Sequence, residues 1–125
     1  MKYILAFLTV ASLSSFSFQN SVDPELVFVE FTNRTTFKNL VDIQSEMAEK
    51  GITLEYMLIE FDEENTYVVD EVEYYQLKNL SIKVDCNDGF SGTGNAFLIP
   101  DKSRLAFMRD YRENAKIPFG VYVNE

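Results

Sequence analysis

Apolar positions recur along residues 35–61 with two successive periods. From Phe37 onward, Phe37, Leu40, Val41, Ile43, Met47 and Ala48 fall on one arc of a helical wheel. Lys38, Asn39, Asp42, Ser45, Glu46, Glu49 and Lys50 fill the opposite arc. That division predicts an amphipathic helix laid on a core. Thr35 or Thr36 can cap its start, because a threonine oxygen accepts from a backbone N–H that has no helical partner. Lys50 falls in the last turn, where a cation suits the helix dipole, and Gly51 is placed to end the helix in the left-handed region. Gln44 points into the apolar arc. It reads either as an amide satisfied by backbone or as a ligand contact.

After Gly51 the period changes to two. Ile52, Leu54, Tyr56 and Leu58 alternate with Thr53, Glu55, Met57 and Ile59, as in a strand with one buried face. The apolar phase slips near Ile59 and Phe61, which suggests a bulge or burial on both faces. Before the helix, Glu25–Thr32 is apolar on both faces and reads as a central strand. Leu80, Ile82, Val84 and Cys86 alternate with Ser81, Lys83 and Asp85 in a further strand. Asn87-Asp88-Gly89 supplies turn chemistry, and Phe90–Ile99 returns antiparallel. Gly92 and Gly94 share a face of that strand, smooth enough for the helix to pack closely or for a partner backbone to approach. Beyond Pro100, the residues Leu105, Phe107, Met108, Tyr111 and Ala115 fall on one arc of a second, shorter helix over about residues 101–115, capped by Asp101 or Ser103. Residues 117–123 are extended.

The expected fold is therefore α+β, in the order β-α-β-β-β-α-β. It has a mainly antiparallel sheet of four to five strands with one long helix, and the shorter one, packed on one face. Between the second and third strands lies an acidic excursion at 62–76. It holds Asp62, Glu63, Glu64, Asp70, Glu71 and Glu73, with Tyr67, Val68, Val69 and Val72 interleaved. It reads as a solvated edge that discourages sheet-to-sheet aggregation, as a docking surface for a basic partner, or as a cation site.

The first residues differ from the rest. Lys2, an apolar run from Tyr3 to Leu13, and Ser14, Ser15, Phe16 and Ser17 follow the order of a secretory signal peptide. Cleavage after Ser17 or Gln19 leaves a single domain over residues 20–125, secreted or periplasmic. The apolar run is shorter than the roughly 20 residues a membrane span needs, so the mature form is not expected to be membrane-spanning. Loss of Lys2 moves the net charge from −9 to about −10. So acidic a chain disfavours nucleic acid, whose binding rests on phosphate neutralisation. Lys102, Arg104, Arg109, Arg112 and Lys116 cluster late in the chain, opposite in sign to the excursion, which allows weak self-association between copies.

Candidate chemistry is sparse. The chain has 125 residues and no histidine, which removes the commonest general base and metal ligand. Cys86 is its only cysteine, so no internal disulfide exists. It reads as a small buried apolar residue, or else as an intermolecular disulfide or reactive thiol. Asp85, Asn87, Asp88 and Gly89 resemble the opening of a calcium loop. Counted from Asp85, however, Phe90 and Ala96 stand where the EF-hand requires Gly and Glu, leaving Asp85, Asn87 and Asp88 as weak metal candidates. No cofactor is implied. Tyr74 and Tyr75 are adjacent, so in a strand one of them faces outward, where a tyrosine can anchor a peptide or stack on a sugar. With Tyr67, Glu71 and Glu73 they make the candidate partner surface.

The runs Lys50-Gly51-Ile52-Thr53-Leu54-Glu55-Tyr56, Leu80-Ser81-Ile82-Lys83-Val84 and Asp88-Gly89-Phe90-Ser91-Gly92 carry a resemblance. Over about residues 26–99 the chain resembles the small extracytoplasmic domain that ends BlaR-like antirepressor metallopeptidases of Bacteroidetes, and related free-standing secreted proteins. The excursion and the second helix depart from that pattern. No catalytic residue carries over, because the peptidase part is absent. The resemblance implies an exported, non-catalytic module. The expected function is an exported, non-enzymatic binding module of the bacterial envelope, its partner a protein or envelope component. The alternatives are a calcium- or carbohydrate-binding module using the acidic excursion and its tyrosines, and a small enzyme using two carboxylates about 5–10 Å apart.

Overall fold

The computed structural model describes residues 25–124. The expected signal peptide and the polar lead-in at 20–23 lie outside them. In chain order the elements are β1 (Leu26–Phe31), α1 (Phe37–Glu49), β2 (Thr53–Val69), β3 (Val72–Asp85), β4 (Ser91–Phe97), β5 (Arg104–Asp110) and β6 (Phe119–Asn124).

The first helix starts and stops where its residues dictate. Thr36 Oγ1 accepts from the Asn39 N–H at 3.0 Å, and Asn39 Oδ1 accepts from the Thr36 N–H at 3.0 Å, a reciprocal capping box. Gly51 follows at φ +82°, and its N–H donates to the Ala48 carbonyl at 3.1 Å. Replacing Thr36 with alanine removes an acceptor for a helix-end N–H. That change is expected to cost about 1 kcal/mol, read as a lower denaturant midpoint at unchanged slope.

The buried stripe of α1 is narrower than the arc predicted for it. Leu40 and Met47 are buried and Ile43 partly so, but Phe37 is 60% exposed and Val41 47%. The helix packs along β2 rather than lying flat across a sheet, so the outer parts of the arc meet solvent. The Tyr56 hydroxyl donates to the Leu40 carbonyl at 2.6 Å, and burial pushes that phenol well above its ordinary pKa. Gln44 Nε2 donates to the Leu54 carbonyl at 2.8 Å. The amide in the apolar arc is thus satisfied by backbone, on the edge strand of a sheet.

The fold is α+β, but its strands form two sheets rather than one. One has the order β1-β5-β6 and the other β2-β3-β4, with every neighbouring pair antiparallel. They share one core. Val27, Phe31, Leu105 and Phe107 come from the first sheet; Leu54, Leu80, Ile82, Val84 and Ala96 from the second; Leu40 and Met47 from the helix.

The second helix expected over 101–115 is instead β5. Its run Leu105-Ala106-Phe107 is buried throughout: Leu105 and Phe107 face the core, and Ala106, on the outer face, is small and flanked by β1 and β6. With Ala106 and Met108 apolar on the outer face, the strand shows no polar alternation to betray it, and helical spacing fits it equally well.

Gly92 and Gly94 do allow close packing, but not by the helix. A Cβ on Gly94 would lie 2.7 Å from Val121 Cγ1 and 2.9 Å from Leu105 Cδ1, and one on Gly92 3.2 Å from the Phe119 ring and from Val121. The two glycines let β4 settle against β6, drawing the sheets together along that side.

Candidate interaction surface

The acidic excursion is no loop. β2 and β3 continue through it as one hairpin arm, reversed at Asp70 (φ 51°) and Glu71 (φ 68°). The pairing runs Thr66 with Tyr75, Tyr67 with Tyr74, Val68 with Glu73 and Val69 with Val72. Below these, the register passes from Asp62 opposite Gln76 to Thr66 opposite Tyr75, so residues 63–65 bulge out. Asp62 shapes that bulge: its Oδ1 accepts from the Glu64 N–H at 3.0 Å and its Oδ2 from Asn65 Nδ2 at 2.7 Å. The third strand of this sheet stops short of the arm, since the last β3–β4 pair is Asn79 with Phe97.

The base of the arm is gripped by the connection between β1 and α1. The Leu77 N–H donates to the Asn33 carbonyl at 2.8 Å, and Asn33 Nδ2 to Gln76 Oε1 at 3.3 Å. The Tyr67 hydroxyl donates to the Arg34 carbonyl at 2.8 Å, while the Arg34 guanidinium lies 4.8 Å from the Tyr67 ring centre. Tyr67 also stacks on Tyr74, with ring centres 5.5 Å apart and planes at 22°. Burial pushes the Tyr67 phenol above its ordinary pKa.

The five residues put forward for a partner surface therefore divide. Tyr67 is buried and holds the arm to the body, and Tyr74 is half-buried and stacked on it. Tyr75 is 52% exposed. Glu71 sits in the turn, and Glu73 is exposed with its Oε2 accepting from Thr66 Oγ1 at 2.8 Å. The surface also includes Val68 at 65% exposure, together with Val69 and Val72, both exposed. By the pairing, Val68 and Tyr75 lie on one face of the arm and Val69 and Val72 on the other. The valines are visible in the sequence within the acidic excursion but are not placed on the partner surface there, because Asp70-Glu71 is a weak turn dipeptide. Without a recognised turn, their facing could not be assigned.

Asp85, Asn87 and Asp88 lie together at the β3–β4 turn, where their polar atoms build and dock the turn. Asp85 Oδ1 accepts from the Asn87 N–H at 2.8 Å, and Asn87 Nδ2 donates to the Gly51 carbonyl at 2.8 Å. Asp88 Oδ2 accepts from Arg109 Nη2 at 2.7 Å. Among the described residues, no three of His, Cys, Asp or Glu converge as a metal site.

The three late arginines pair with acids close to home. Arg109 pairs with Asp88, Arg112 Nη2 with Asp110 Oδ2 at 2.8 Å, and Arg104 Nε approaches Glu30 Oε2 at 3.9 Å.

Cys86 is buried. Burial, chiefly, pushes its thiol up to about 11; the Asp88 carboxylate adds to the shift and Arg109 opposes it. A thiol two units above its ordinary value carries roughly a hundredfold less thiolate at neutral pH. Ellman's reagent is therefore expected to titrate Cys86 at full rate only after unfolding, with the native rate suppressed at least that far.

No family model, curated protein or solved structure matches the chain.

Proposed function

We propose that this chain is an exported, non-enzymatic binding module whose β2–β3 arm engages another protein of the bacterial envelope. The observation that carries the reading is the arm's exposed apolar side chains on both faces, Val68 and Tyr75 on one and Val69 and Val72 on the other. Asp70, Glu71 and Glu73 surround them, and Glu63 and Glu64 stand below. A two-stranded ribbon gains little stability from such positions, whereas a partner that covers them gains apolar burial. The acidic rim favours a partner with basic groups around an apolar centre, and opposes pairing of one arm with another copy's.

Support for a non-enzymatic role comes from the missing histidine and from the thiol's burial and raised pKa. The charged, apolar and small-residue order of residues 1–17 supports export, as does the resemblance to extracytoplasmic domains.

The double variant Val68→Ser/Tyr75→Ser tests the proposal. Both side chains are solvent-facing, so its melting temperature is expected to stay within about 2–3 °C of the parent. Crosslinking in the envelope fraction is expected to lose the partner bands the parent gives. An unchanged band pattern in a folded variant would remove the arm from the binding surface.

A further inference from the structure

Where the arm leaves the body, the bulge on β2, the adjoining stretch of β3 and the chain just past β4 enclose an open groove of about 410 Å³. Its two banks differ in chemistry. On one, Phe97 and Ile99 present apolar surface and are 55% and 51% exposed. On the other stand Asp62, Asn65, Gln76 and Lys78.

The hydrogen bonds within the second bank decide what it still offers. Asn65 Nδ2 is given to Asp62 at 2.7 Å, which leaves the Asn65 carbonyl to accept. Gln76 Oε1 is taken by Asn33 at 3.3 Å, which leaves the Gln76 NH2 to donate. Lys78 is a donor only and the Asp62 carboxylate an acceptor only. The bonds from Asn65 and from the Glu64 N–H hold the Asp62 carboxyl below its ordinary range, so it is ionised at neutral pH. Donors and acceptors are thus both present, and one positive charge stands near one negative charge. A cation would meet Lys78 and an anion would meet Asp62. A neutral ring with one apolar face and several hydroxyls suits both banks at once.

We infer that this groove binds a pyranose unit of an oligosaccharide, its apolar face on Phe97 and Ile99 and its hydroxyls toward Asp62, Asn65, Gln76 and Lys78. The volume falls in the range of small-molecule sites, about 300–1,000 Å³. The inference stands apart from the arm's role in protein docking, because it uses the base of the arm and none of Val68, Val69, Val72 or Tyr75.

The test is a glycan array of neutral hexose and N-acetylhexosamine oligomers, probed with the chain and with four variants. The chain is expected to bind at least one class. Phe97→Ala is expected to weaken that binding about tenfold, as loss of a ring contact and its buried area would, and Lys78→Ala to weaken it severalfold. Phe28→Ala removes an equally exposed ring from the other sheet and should bind as the parent does. Val68→Ser/Tyr75→Ser should also keep glycan binding, which separates this site from the arm's. Failure to bind any glycan class overturns the inference, and so does parental binding by both folded groove variants.

Discussion

Replacing Phe107 with alanine is expected to destabilise the fold by about 3–5 kcal/mol, the range for deleting a buried phenylalanine ring. Phe107 is fully buried at the centre of the middle strand of its sheet. Its strand partners are Val29 in β1 and Val121 in β6. The Phe31 ring lies 6.4 Å from it, and Phe31 in turn meets Tyr56 of the other sheet edge-on at 6.2 Å. The ring therefore belongs to a chain of aromatic contacts that crosses from one sheet to the other. Neighbours held by strand pairing on both sides cannot collapse into the space it leaves, which places the cost toward the upper end of the range. A domain of this size holds about 5–15 kcal/mol in total, so the variant should unfold at a much lower urea concentration. Phe28→Ala is the control: Phe28 is on the same sheet but largely exposed, and its loss should cost a small fraction as much. Equal midpoints for the two variants would contradict a core shared by both sheets.

The contrast between Phe107 and Phe28 also shows where sequence pattern stops informing. Leu58, which its period assigns to the buried face, is 43% exposed because the register shifts after Tyr56. The helix over 37–49, its threonine cap, the glycine stop, the alternation of β2 as far as Tyr56 and of β3, and the turn at 87–89 each follow from interactions between residues a few positions apart. Those were legible. The assignment of residues 104–110 was not, because Ala106 and Met108 on the outer face of β5 blur the alternation that marks a strand. Nor does sequence alone separate one sheet from two. The choice depends on β5 inserting between β1 and β6 while β4 stays with β3, and on Gly92 and Gly94 letting the sheets approach. At the candidate site, the acidic character of residues 62–73 was plain, as was one outward tyrosine of the Tyr74-Tyr75 pair. The exposure of Val68 was hidden behind an Asp-Glu turn in which two ordinary residues adopt positive φ. Phe97 and Ile99 of the groove gave no signal, since exposed and buried apolar residues look alike in a short strand.

Arg109→Ala is expected to cost about 2 kcal/mol, on the scale of losing the hydrogen bonds of a charged donor to backbone carbonyls, since the Asp88 it leaves behind is open to solvent. From sequence, Arg109 is one member of a basic cluster. In the fold its side chain points inward from β5 and is 11% exposed. Nε and Nη2 donate to Asp88 Oδ2 at 3.0 and 2.7 Å, and Nη1 to the carbonyls of Asp110 at 2.6 Å and Pro118 at 3.1 Å. The guanidinium also lies 4.6 Å from the Phe90 ring centre and 4.3 Å from that of Tyr111. One planar cation thus joins the β3–β4 turn to the sheet opposite and to the approach to β6. Lysine cannot reproduce this fork, so Arg109→Lys should recover only part of the loss. Asp88→Asn should cost less than Arg109→Ala, because the guanidinium keeps two carbonyls and two rings. The pair also sets an acid limit. Hydrogen bonds from Arg109 hold the Asp88 carboxyl below its ordinary range, so its contribution is complete above the unfolded value, about pH 4, and disappears as pH falls through the lower folded value. The gap in melting temperature between the parent and Arg109→Ala should therefore be steady from pH 5 to 8 and shrink below about pH 4. A gap that stayed constant to pH 2 would mean that Arg109 acts through its carbonyl bonds and ring packing, with Asp88 as a bystander.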